Sequence, residues 1–145
     1  MNFKIQGFFT TLIIGTVSVL TISDAISQKV NAEAAPSCNN ATIKGSYGGT
    51  LTGTVSEIPV ASVGLYKFNG TGNFQIISSN SANGTISTNN QGSGTYSVKQ
   101  DCTVQIGFSN GSDTYSGIIV DSGKEIFLLA TVQGSAVTVT LKKVN

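Results

Sequence analysis

The sequence predicts an all-β protein, an eight- to nine-stranded antiparallel up-and-down barrel, with a β-sandwich as the alternative. Three observations carry this. Ile43 to Val55 alternates without a break: Ile43, Tyr47, Leu51 and Val55 stand on one face with Gly45, Gly49 and Gly53, and Lys44, Ser46 and three threonines stand on the other. Such a period-two run is a strand with one buried face. Turn signals of the Asn-Gly kind recur at short intervals, at Asn69-Gly70, Asn83-Gly84 and Asn110-Gly111. No stretch after residue 34 combines helical periodicity with a cap. A meander can avoid exposed edges by closing into a barrel or folding into a sandwich, and short hairpin links favour the closed up-and-down barrel over Greek-key sandwiches, which need long crossovers.

Taken in order, residues 1–34 read as a signal peptide. Lys4 supplies the positive start, Phe8 to Ile22 the apolar stretch, and Ala32-Glu33-Ala34 a small-x-small cleavage site. The apolar stretch is about fifteen residues, short of the ~20 of a membrane span. An uncleaved anchor is the alternative. Residues 35–145 then form a single all-β domain, exported to the periplasm or the extracellular space.

In that domain glycine at alternate inward positions of the first strand lets the chain bend or another backbone come close. Glu57-Ile58-Pro59 is expected to break the run, since proline cannot donate to a ladder. Val60–Phe68 and Phe74–Ser79 pair across the Asn69–Asn73 turn. Thr85–Thr88 is a weak strand and Asn89–Gly94 a loop or irregular edge. Gly94–Lys99 and Cys102–Ser109 form a hairpin closed by Gln100-Asp101, with Cys102, Val104, Ile106 and Phe108 inward. Asp113–Val120 follows. The hairpin over Ile118–Val132, turned at Asp121-Ser122-Gly123-Lys124, contains the unbroken apolar run Ile126–Leu129. That run is either covered on both faces or offers an apolar strip to a partner or ligand. Ala136–Lys142 is the last strand.

Cys38 and Cys102 are the two cysteines, and in an exported chain they form a disulfide. The bridge closes a loop of roughly 65 residues, for which chain entropy suggests about 4 kcal/mol. A redox pair is the alternative, without the C-x-x-C spacing to support it. Metal binding lacks ligands, because the sequence has no histidine.

With these residues laid out, the chain resembles a group of small exported β proteins of cyanobacteria and acidobacteria. The likeness rests on Cys38 followed by Ala41 to Gly48, on Phe68 to Asn73, on Gly94 to Val98, on Asp101-Cys102-Thr103 and on Ile119 to Glu125. In overall pattern the fold is similar to calycin-like barrels and to the eight-stranded barrels of allene oxide cyclase and dirigent proteins. The resemblance implies a barrel and export, and it transfers no active site.

Charged residues make up 10% of the chain, against about 25% usually. Six lysines and five acids after residue 34 leave no basic field, so nucleic acid and, after signal cleavage, membrane are set aside as partners. No motif calls for a cofactor or a metal. Catalysis without histidine falls to carboxylates, lysines or tyrosines. Asp121 and Glu125 are the nearest acids to each other but lie at a turn, where carboxylates are solvated. Asp101 is expected to bond its own turn. Glu57 is the acid to examine at a barrel mouth. The sequons at Asn40, Asn69, Asn83 and Asn110 are read as turn chemistry. Tyr47, Tyr96 and Phe108 are the candidate ligand-lining residues, sharing faces with apolar neighbours. The function expected is an exported, non-enzymatic barrel holding a small apolar ligand. The rivals are an interaction protein that associates with itself or another protein through Ile126–Leu129, and a cofactor-free isomerase or cyclase.

Overall fold

The computed structural model describes residues 37–111 and 113–144. The signal peptide expected over residues 1–34 lies outside them. Eight strands run β1 Gly45–Val55, β2 Ile58–Phe68, β3 Asn73–Ala82, β4 Thr85–Val98, β5 Thr103–Phe108, β6 Thr114–Val120, β7 Glu125–Ala130 and β8 Ser135–Lys143. Each pairs antiparallel with its sequence neighbours, and β1 pairs with β8 to close an up-and-down barrel. All sheet edges are thereby satisfied, and the sandwich is excluded.

Inward and outward residues alternate as the sequence predicts. Tyr47, Tyr66, Phe68, Phe74, Ile76, Tyr96, Val104, Ile106, Ile126, Leu128, Val139 and Leu141 are buried in one continuous core. An aromatic column forms its axis. The Phe68 ring meets Tyr47 edge-on at 5.5 Å, Tyr96 edge-on at 5.0 Å and Phe74 at 5.6 Å between centroids. Phe74 meets Phe108 at 5.2 Å, and Phe108 meets Tyr115 at 6.1 Å. Edge-to-face geometry sets the positive ring edge on the negative face, worth about 0.5–1.5 kcal/mol per pair beyond burial.

The glycines of β1 act as the alternation implies. A Cβ on Gly49 would lie 2.4 Å from Leu141 Cδ2 and 2.9 Å from Tyr66 Cε2, so its absence makes room for those side chains. A Cβ on Gly53, where φ is +151°, would lie 2.0 Å from the Ala136 carbonyl oxygen. There β8 backbone occupies the place of a side chain.

Three expectations need correcting. Pro59 does not break the strand: β2 begins at Ile58, and Pro59 pairs with Thr54. The chain reverses instead at Ser56 and Glu57, both with positive φ, at 48° and 68°. Proline is tolerated because it sits at the strand's start, where its carbonyl still accepts from Asn83 N at 3.0 Å. Asn89–Gly94 is not a loop but the middle of β4, the longest strand. Its ladder to β3 shifts register between Ser78 and Asn80, and Asn89 takes φ 56°, a β-bulge. β3 side chains lie over its inward glycines: a Cβ on Gly94 would meet Phe74 Cε1 at 2.6 Å, and one on Gly92 would meet Ile76 Cγ2 at 3.0 Å. Finally, Cys102 is the last turn residue, with φ 65°, and β5 starts one residue later.

Candidate functional site

The two ends of the barrel differ. One is plugged by a 3₁₀ turn, Asn40–Ile43, capped by the Asn39 side chain and carrying the fully buried Ile43. The Cys38–Cys102 disulfide ties this plug to the β4–β5 turn, with Cα atoms 4.9 Å apart. Cys38 N donates to Gln100 O at 3.2 Å. Asn40 Oδ1 accepts from Val98 N at 2.8 Å and Asn40 O accepts from the Tyr96 hydroxyl at 3.1 Å. That hydroxyl accepts in turn from Gly70 N at 2.8 Å. The Tyr47 hydroxyl donates to Gly123 O. Gly123 has φ +87°, and a Cβ there would lie 2.4 Å from Thr42 O, so only glycine lets the β6–β7 turn close on the plug.

Two of the candidate residues, Tyr47 and Tyr96, therefore sit at the plugged end with their hydroxyls committed to backbone. Burial, and secondarily Tyr96, pushes the Tyr47 phenol up to about 12. Burial also raises Tyr96, against hydrogen bonds from the backbone of Gly70 and Gly72 that lower it. Phe108 lies elsewhere, half-buried near the opposite end.

That opposite end is open, and it holds a cavity of about 410 Å³. Its apolar wall is Leu51, Tyr66, Ile76, Phe108, Tyr115 and Val137, and polar groups of Ser78, Asn80, Asn90 and Asp113 join it. Every strand except β7 brings residues here, the inward ones placed by the same alternation that builds the core. The cavity exists because the wall narrows to small residues: Ser62, Ser78 and Gly92 stand where large side chains would fill it. Tyr66 is 5% exposed. Its hydroxyl, like that of Tyr115, has no hydrogen-bond partner among the described residues, and both residues line the cavity. Burial, and then the neighbouring Tyr115, pushes the Tyr66 phenol up to about 12. Burial, and then the Asp113 carboxylate, raises Tyr115. The sequence reading missed Tyr66 and Tyr115. Their inward register was legible, but which end of the barrel is open was not.

The remaining acids are placed plainly. Asp101 accepts from Thr103 N at 3.0 Å and Thr103 Oγ1 at 2.7 Å, as its turn position suggested, and those bonds hold its carboxyl below the usual range. Asp121 and Glu125 pair with Lys124 at 3.6 Å and Lys142 at 3.3 Å respectively. Glu57 occupies the β1–β2 turn at the open end. No group of three or more potential metal ligands occurs among the described residues.

On the outer wall the Ile126–Leu129 run resolves by alternation. Ile126 and Leu128 are buried, whereas Phe127 is 42% and Leu129 55% exposed. Phe127 pairs across the ladder with the exposed Ile118. The run thus presents an apolar strip outward rather than being covered on both faces.

No family model and no curated protein matches the chain. Among solved structures it is similar to a redesigned β-barrel, mFAP0, bound to DFHBI. That match has 23% identity over 70% of this chain and 99% of that chain, with a TM-score of 0.43. At that level of similarity the neighbour says nothing about what this chain binds.

Proposed function

We propose that this chain is an exported, non-enzymatic barrel that binds one small, largely apolar molecule in its open mouth. The observation that supports it is the apolar cavity of about 410 Å³ that Tyr66 and Tyr115 help to line. Small-molecule sites are concave, mostly apolar and marked by a few convergent polar groups, with volumes of about 300–1,000 Å³. Eight-stranded barrels enclose one such ligand. Phe108, among the residues expected to line a ligand, faces this cavity; Tyr47 and Tyr96 contribute by holding the plug. The disulfide suits an oxidising compartment, which supports export and the grouping with small exported barrels.

The test is native mass spectrometry of the oxidised protein after incubation with a lipophilic extract. Stoichiometric adducts lost on unfolding, and absent from a Leu51→Trp variant whose indole fills the mouth, are the expected result. A bare protein overturns this reading. A bare dimer moves the weight to the interaction protein, whose contact would be the Ile118, Phe127 and Leu129 strip.

A tyrosine buried beside a cavity also suits the isomerase or cyclase. Binding is preferred because efficient acid–base groups titrate near the working pH, and Tyr66 is pushed the other way, to about 12. At neutral pH it is a fixed hydrogen-bonding phenol. Chromatography of the recovered ligand distinguishes the two: an isomerised product overturns the non-enzymatic assignment.

A further inference from the structure

Charge in the barrel is sorted by end. Lys44, Lys67, Lys99, Lys124, Lys142 and Lys143 all lie in or beside the strand ends that surround the plug. The acids there are Asp101, Asp121 and Glu125, and two of them are paired with lysine. Glu57 and Asp113 are the charges of the open end, in the β1–β2 and β5–β6 connections, and neither has an ion-pair partner among the described residues. Even the short strands β5 to β7, of six or seven residues, separate the ends by roughly 20 Å along the chain, and the longer strands by more. The Debye length at physiological salt is about 8 Å, so lysines at the plug are screened from the mouth. Among the described residues, a ligand arriving at the cavity therefore meets two carboxylates and no ammonium.

The cavity adds directionality. Asp113 lines it beside Tyr115, while Tyr66, 95% buried, lines it with a hydroxyl that has no hydrogen-bond partner among the described residues. The rings of Phe108, Tyr115 and Tyr66 supply aromatic faces, which attract a cation through their quadrupoles. A low-dielectric wall focuses the field of the rim carboxylates into the opening.

We infer that the mouth selects cationic amphiphiles, molecules with an apolar or aromatic body and an amine or quaternary ammonium head, and turns away fatty acids and other anionic amphiphiles. The body lies on Ile76, Phe108 and Val137, and the head sits at Asp113 with the tyrosine rings beneath it. This rests on the ligand-binding reading above.

Three naphthalene probes that differ only in their substituent test it: uncharged, sulfonate-bearing and trimethylammonium-bearing. Affinities are measured by fluorescence titration of the oxidised full chain at low and at physiological salt. The ammonium probe is expected to bind about tenfold tighter than the neutral one at low salt, with the sulfonate weaker than both. The spread should shrink as salt rises. Asp113→Asn should narrow the ammonium-to-sulfonate ratio several-fold, and Glu57→Gln, in a separate turn, should narrow it further. Lys124→Gln at the plugged end should not move it. Binding of all three probes with the sulfonate equal or tighter overturns the charge selection and leaves the binding barrel standing. A ratio unmoved by both acid substitutions also overturns it. Failure of all three probes to bind, or binding that survives Leu51→Trp, overturns the binding reading itself and this inference with it.

Discussion

Tyr47 is a phenol with no exposed surface, and its hydroxyl donates to the Gly123 carbonyl across the plugged end. Tyr47→Phe should cost about 1–3 kcal/mol in urea denaturation, because a buried carbonyl loses its partner. Its ionisation matters as well. Tyr47 and Tyr66 are both pushed up to about 12 when folded, chiefly by burial, against about 10 when unfolded. Below pH 10 both states keep the proton and the full stability is present. Between 10 and 12 the unfolded chain ionises first, so stability falls, by about 2–3 kcal/mol per tyrosine at pH 12. Urea midpoints measured from pH 8 to 12 should drop in that window, and Tyr66→Phe should flatten part of the drop. Glycine makes a second contrast at this scale. Gly53→Ala places a methyl against the Ala136 carbonyl and should cost at least about 2 kcal/mol. Gly48→Ala, five residues earlier and with nothing within 4 Å of its Cβ, should stabilise by under about 1 kcal/mol through the unfolded chain. Alternation in β1 told the two faces apart. It could not say that the inward place at Gly53 is taken by backbone, which depends on the register with β8.

The plug is the element that distinguishes the two ends. It is a single 3₁₀ turn and cannot hold itself, since one turn fixes more dihedrals than its hydrogen bonds repay. Tertiary partners hold it: the disulfide, the Asn40 side chain on Val98 N and the Tyr96 hydroxyl on Asn40 O. Reduction, or the Cys38→Ser/Cys102→Ser pair, should cost up to about 4 kcal/mol in denaturant midpoint multiplied by m. Hydrogen exchange should then rise first at residues 38–43 and 98–102. Preservation of those rates on reduction would show that packing of Ile43 alone seats the plug. The cysteine pairing was legible because a sequence with two cysteines leaves one bridge. The turn itself was not, because a short segment without periodicity carries no signal until its neighbours surround it. β4 shows the converse. Its polar glycine-rich middle looks like loop, yet it is strand, since β3 and β5 supply the ladder and the Asn89 bulge absorbs the mismatch in register.

For the molecule as a whole, the ligand binding proposed for the open mouth predicts linkage between binding and stability. A ligand at a hundred times its dissociation constant adds about 2.7 kcal/mol. Calorimetry of the wild-type chain with the trimethylammonium probe should therefore show a melting temperature that climbs with probe concentration. The Leu51→Trp variant, with its mouth filled, should melt at one temperature throughout. The sorting of lysines to one end and unpaired acids to the other is likewise a property of the assembled barrel. Every lysine was visible in the sequence, but net charge near zero concealed the arrangement.

Alternation, most of the turns and the disulfide were determined by the sequence alone, and strand number to within one, because each depends on contacts a few residues apart or on there being only two cysteines. The register in which β1 closes on β8, the plugging of one end, the cavity between Tyr66, Phe108 and Tyr115 and the separation of charge were decided only by the tertiary structure. Each is a relation between residues from different strands, and strand register, not local propensity, brings those residues to the same end of the barrel.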